Sequence, residues 1–152
     1  MAFPTPSGLF AQTFLNALNA TIVLDLDLLT HKVALFTNAI ATTDLTLDVG
    51  YGTAPWNANE VGASGSYATG GYTLANTTWT HTAGGIVVWD NTVDPNWTTA
   101  TITARGALYY ADALANNNGI CAQTFTSDVT STAGTFTIAL ATGGIFSIDF
   151  VP

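Results

Sequence analysis

The side chains in this 152-residue chain that could move a proton, hold a metal or bind an anion are few, and their spacing suits none of those tasks. His31 and His81 stand far apart with no third His or Cys at a ligand interval, which argues against a zinc site. Asp90 and Asp94 flank the turn DNTVD and could present oxygens to Ca²⁺. The EF-hand pattern is missing, however, and turn capping accounts for both. Asp25, Asp27, Asp44 and Asp48 read as solvated faces and turns. Neither a Gly-x-Ser-x-Gly elbow nor a phosphate-binding P-loop occurs. The single cysteine, Cys121, sits in the apolar run GICAQTF and reads as a buried, unreactive thiol with no intrachain partner. The expectation is a non-enzymatic chain without catalytic residue, cofactor or metal.

The cations are as informative as the missing nucleophiles. Lys32 and Arg105 face ten carboxylates, for a net charge of −8, yet charged residues total only 8%. Soluble domains normally carry about a quarter. Gripping a phosphate backbone needs several Lys or Arg to release counterions, so nucleic acid is excluded as a partner. Thr, Asn, Ser and Gly must supply the polar surface instead. Arg105, on a strand among threonines and tyrosines, needs an acceptor if it is even partly buried. Asp112 is the expected partner, with Glu60 the other choice, in an ion pair that fixes the sheet or a subunit contact. Trp79 and Trp89 lie in strand runs and read as core. Trp56 and Trp97 stand beside Pro, Asn and Asp in loops, where aromatics such as these and Tyr51 suit a partner surface.

The elements that must position these residues are mostly strands. Residues 1–22 read as an N-terminal arm with a short helix and residues 23–152 as one β-sandwich domain. From Ser7, a cap candidate after Pro6, the apolar residues Phe10, Phe14 and Leu18 recur every four positions beside Leu9 and Leu15. So short a helix is marginal in water. Phe3, Leu9, Phe10 and Phe14 are therefore expected to lie on a neighbouring copy or a larger shell. Leu24, Leu26 and Leu28 alternate with Asp25 and Asp27 as in a half-buried strand, and Val33–Phe36 is a solid apolar run. At about 38–70 the periodicity fades into a long surface excursion that presents aromatics. Strand signals then follow at Tyr72–His81, Gly85–Asp90, Thr98–Tyr110, Gly119–Thr126, Gly134–Ala141 and Ile145–Phe150. Strict alternation in TTATITARGALYY would put Ile102, Ala104, Gly106, Leu108 and Tyr110 on one face. Strands so spaced, with no helices between them, predict an all-β fold: an antiparallel sandwich or jelly-roll-like domain with a short N-terminal helix.

No apolar run approaches the roughly 20 residues of a membrane-spanning helix. MAFPTPSGLFAQ has no basic n-region, so synthesis in a cytoplasm is expected, and the Asn-x-Thr matches at Asn19, Asn76 and Asn96 read as chance.

The strings DLLTHKVALFTNA, EVGASGSYATGGYTLANTTWT, VVWDNT, ATITARGALYYAD and GTFTIALATGGIFSIDF, in this order, resemble a family of tailed-bacteriophage virion proteins. The resemblance runs from about Asp27 to Phe150. It rests on Lys32–Leu35, Glu60-Val61, Tyr67 with Gly70-Gly71, Trp89, Ala104-Arg105 with Tyr109-Tyr110 and Asp112, and Gly134–Ile138. The Trp56-containing insertion and the near absence of Lys depart from it. It implies a structural protein of head or tail with no catalytic residues to carry over. First among the readings is a capsid decoration (cement) protein on the outer surface of the virion, synthesised in the host cytoplasm. Its partners would be the major capsid protein and copies of itself, by analogy a homotrimer. Second is a tail or baseplate component, an adhesin or carbohydrate-binding module using Tyr51, Trp56 and Trp97 as stacking platforms. Last is a tail hydrolase, which would need two carboxylates about 5–10 Å apart in a groove.

Overall fold

A computed structural model describes residues 7–28, 30–41, 43–46 and 49–151. In chain order the elements are β1 (Gly8–Leu9), α1 (Ala11–Leu18), β2 (His31–Phe36), β3 (Tyr72–Leu74), β4 (Thr77–His81), β5 (Ile86–Asn91), β6 (Asn96–Ala111), β7 (Gly119–Thr137) and β8 (Phe146–Asp149). They form a five-stranded sheet, β1-β7-β6-β2-β3, and a three-stranded sheet, β4-β5-β8. All pairings are antiparallel. The two sheets pack on one another, so the fold is an all-β sandwich with a short N-terminal helix. No helix among the described residues is long and apolar enough to cross a membrane.

The large sheet is covered on both faces, which explains why β2 is apolar without alternation. Val33 and Leu35 point into the core between the sheets, with Trp89, Tyr109, Ile120 and Phe136. Ala34 and Phe36 point the other way, into a second core with Leu108, Tyr110, Phe10, Ile40 and Trp56. The lid over this second face is the 38–70 excursion, tied to the sheet by bridges Phe36↔Glu60 and Gly50↔Asn118. The chain re-enters the sheet at Gly71, at φ 78°, where a Cβ would collide with the Val33 carbonyl oxygen; glycine alone accepts both demands.

Four sequence expectations are corrected. The alternating Leu24–Leu28 segment is a turn and not a strand, because the Asp25 carboxylate accepts the N–H groups of Asp27 (3.4 Å) and Leu28 (3.2 Å). A local side-chain acceptor there outcompetes a ladder. The run Tyr72–His81 breaks at Ala75-Asn76, and its halves enter different sheets. The expected strands Gly119–Thr126 and Gly134–Ala141 are not separate; β7 runs unbroken from Gly119 to Thr137. Its surplus is absorbed as a bulge, since Ala104 pairs with Val129 while Gly106 pairs with Thr124. The same irregularity shifts the alternation of β6. Ala104 and Ala107, three apart, both face the inter-sheet core, while Leu108 and Tyr110 face the lid.

Candidate functional site

The surface that could receive a partner is built around α1. Its AQTFLNAL sequence combines good helix formers with Phe14 and Leu18 one turn apart. Ser7 is not its cap; the Ser7 hydroxyl accepts the Thr124 N–H at 2.9 Å. The helix starts after Phe10, without a side-chain cap. The sheet and lid hold that start instead, because the Phe10 N–H donates to Ile120 O (3.0 Å) and the Ala11 N–H to Leu45 O (2.9 Å). The Phe10 ring lies against Gly119, where a Cβ would be 2.8 Å from it. Tertiary contacts have replaced the cap.

This anchoring holds α1 beside the small sheet. Between the helix and the small sheet lies a slot of about 410 Å³ lined by Leu9, Ala11, Phe14, Leu18, Trp79, Ile148 and Phe150. Every lining residue is apolar. Two of the slot's lining rings meet Phe146, Phe14 edge-to-face at 6.0 Å and Trp79 tilted at 5.8 Å. At its rim Leu18 is 85% and Phe150 64% exposed, with Leu15 51% exposed on the same helix. Large apolar side chains left this open in one place mark an interaction surface.

The sequence-predicted contacts divide accordingly. Leu9 and Phe14 line the slot, and Phe3 lies outside the described residues. Phe10 is wholly buried in its own chain. Trp56 and Trp97 are corrected from surface anchors to core, at 1% and 2% exposure. Trp56 sits between Phe10 (5.9 Å) and Phe36 (5.1 Å), while Trp97 contacts Tyr67, Tyr72 and Phe136. Tyr51 is half-buried, stacked on Tyr110 at 4.5 Å. Sequence reasoning did not single out Trp79, Ile148, Phe150 or Leu18 as contact residues of the slot. The four-residue spacing did signal Leu18, whereas the β-strand members carry no local mark.

The expected Arg105–Asp112 ion pair is also corrected. Arg105 Nε donates to Asp128 at 2.7 Å, and Asp112 takes Lys32 at 2.9 Å. Register decides this, because Asp128 lies in the β7 bulge opposite Arg105. Glu60, the chain's single glutamate, instead organises the lid. It accepts the hydroxyls of Tyr67 (2.8 Å) and Tyr51 (2.9 Å) and the Gly70 N–H (2.8 Å). Burial, then this carboxylate, pushes the Tyr51 phenol up to about 12. Burial likewise raises Tyr67, Tyr109, Tyr110 and the Cys121 thiol, which leaves Cys121 a poor nucleophile.

Other polar groups serve the fold. His31 is buried edge-on to Trp89, with Nε2 3.0 Å from the Asp25 carbonyl. Asp94 accepts the Leu140 N–H at 3.0 Å and Asp90 the Asn91 N–H at 2.8 Å. Among the described residues no three His, Cys, Asp or Glu side chains are placed to hold a metal ion. A polar cleft of about 580 Å³ opens beside Asp27, lined largely by Thr30, Thr73, Asn76, Thr77, Thr78 and Thr92. Comparison with known protein families, with curated proteins and with solved structures finds no match for this chain.

Proposed function

We propose that the chain is a structural component of a bacteriophage virion, a decoration protein on the outer capsid surface that stabilises the shell. The observation that carries an assembly role is the uncharged apolar slot beside α1, on a chain whose two cations are both spent in intrachain ion pairs. Such a molecule offers neighbours shape and apolar area. The segments that carry the phage resemblance supply the virion context; they fall on β2, the returning limb of the lid with β3 and β4, β5, β6, and β7 with β8. A net charge of −8 suits an outer face rather than one beside packaged DNA. Its partners are then the major capsid protein and its own copies, as a trimer at threefold positions. It performs no chemistry. A subunit that binds only the assembled shell stabilises it by mass action, and modest contacts sum over a lattice.

The test is a particle lacking the protein. Such particles should lose DNA on heating or chelation while adsorbing to cells normally, and purified protein should restore them. Robust heads with failed adsorption would move the chain to the tail. That second reading, a tail or baseplate component contacting host glycans, draws on the cleft of hydroxyls and Asn76 beside Asp27. It no longer has Trp56 or Trp97 as stacking platforms, since both are buried.

A further inference from the structure

We infer that the α1 slot is the contact between copies of this chain, with helix meeting helix about a symmetry axis. The inference rests on the reading of the chain as an assembly subunit and names the surface that reading leaves open. Charge selects the occupant. Each copy carries −8, and neither cation is free to meet a neighbour's carboxylate, since Lys32 holds Asp112 and Arg105 holds Asp128. Two copies approaching through carboxylate-bearing faces repel. Helix α1 has no charged residue, and neither does any residue lining the slot. That face lets two identical acidic molecules touch without placing like charges in the contact.

The shapes agree with this. Leu18 and Phe150 stand at the rim largely exposed, beside a slot of about 410 Å³ that their own copy leaves unfilled. A symmetric contact places one copy's rim side chains in its neighbour's slot, so each gain is repeated in every copy. An acidic or anionic surface would be repelled by the whole molecule, and a basic one finds no carboxylate in the slot to pair with.

The experiment is sedimentation of the full chain from about 1 to 200 µM, at low and at 0.5 M salt, beside Leu18→Asp. Because Leu18 is 85% exposed, the variant should keep the wild-type melting temperature when dilute. The wild type should form a discrete oligomer that tightens with salt, because salt screens the residual repulsion between copies. Leu18→Asp should weaken association by about tenfold or more, the equivalent of one buried leucine. A wild type that is monomeric at 200 µM overturns the inference. So does an oligomer that Leu18→Asp leaves intact, or one that loosens with salt. Monomeric protein captured through Leu18 by empty shells, or by neutral phosphatidylcholine vesicles, also overturns it and names the shell or a lipid as the occupant. An oligomer lost in Leu18→Asp but never found on particles sustains the contact and refutes the virion reading.

Discussion

His31 shows how one residue can set a pH limit. Its Nε2–H donates to the Asp25 carbonyl while Trp89 Nε1–H donates to Leu26 O at 2.8 Å, so two rings pin the turn before β2. The His31 Nδ1 is buried with no hydrogen-bond partner among the described residues. Burial lowers its pKa below the usual 6.5, against an opposing pull from Asp25. The sign follows from linkage. Above about pH 6.5 both folded and unfolded chains hold a neutral imidazole; below it the unfolded chain takes up the proton more readily. Stability should therefore fall as pH drops below about 6.5 and keep falling to the folded pKa. Urea midpoints between pH 7.5 and 5 measure this, and His31→Leu should flatten the slope. An equal slope in both proteins would assign the loss to other groups.

At the scale of elements, the N-terminal segment has two roles on opposite sides. Thr13 and Phe10 face inward and β1 pairs with β7, while Leu15 and Leu18 face out. The arm read from sequence as purely an assembly device is thus also part of the core. Removing residues 1–20 should destabilise the sandwich. Phe10→Ala alone should cost about 3–5 kcal/mol, a large share of the roughly 5–15 kcal/mol that holds a domain together. Denaturant unfolding of the truncated chain and of Phe10→Ala checks this, and an unchanged midpoint in either would return the arm to the periphery. Leu18→Asp, on the same helix, should leave that midpoint alone. The contrast separates the buried stripe of α1 from the exposed one.

Across the whole molecule, buried acids restrict the alkaline side. Cys121, Tyr51, Tyr67, Tyr109 and Tyr110 all have raised pKa values, chiefly through burial. Their unfolded counterparts ionise near 8.5 for the thiol and 10 for the phenols. As pH rises through those values the unfolded chain releases protons that the folded chain retains, so stability falls. Tyrosinate absorbance should rise together with loss of β-sheet circular dichroism, in one cooperative step above about pH 10. Smooth ionisation of the tyrosines with the fold intact would show that the lid opens independently of the sandwich. The lid is the region to watch, because Glu60 and its two tyrosine donors join it to the large sheet.

The sequence by itself determined what depends on neighbours along the chain. Strand period, turn residues and the solid run Val33–Phe36 are local, and they were enough for the all-β class, the short N-terminal helix and a buried Cys121. The composition likewise limited the chain to two cations, Lys32 and Arg105. Tertiary structure decided what depends on residues far apart in sequence. Trp56 and Trp97 look like surface aromatics because their neighbours are Pro, Asn and Asp; they are core because Phe10, Phe36, Tyr67 and Phe136 arrive from other elements. Asp128 rather than Asp112 meets Arg105 because a bulge in β7 sets the register there. The slot exists because α1, Trp79 and Phe150 come from three segments of the chain, and an apolar side chain is buried only where another element arrives to cover it.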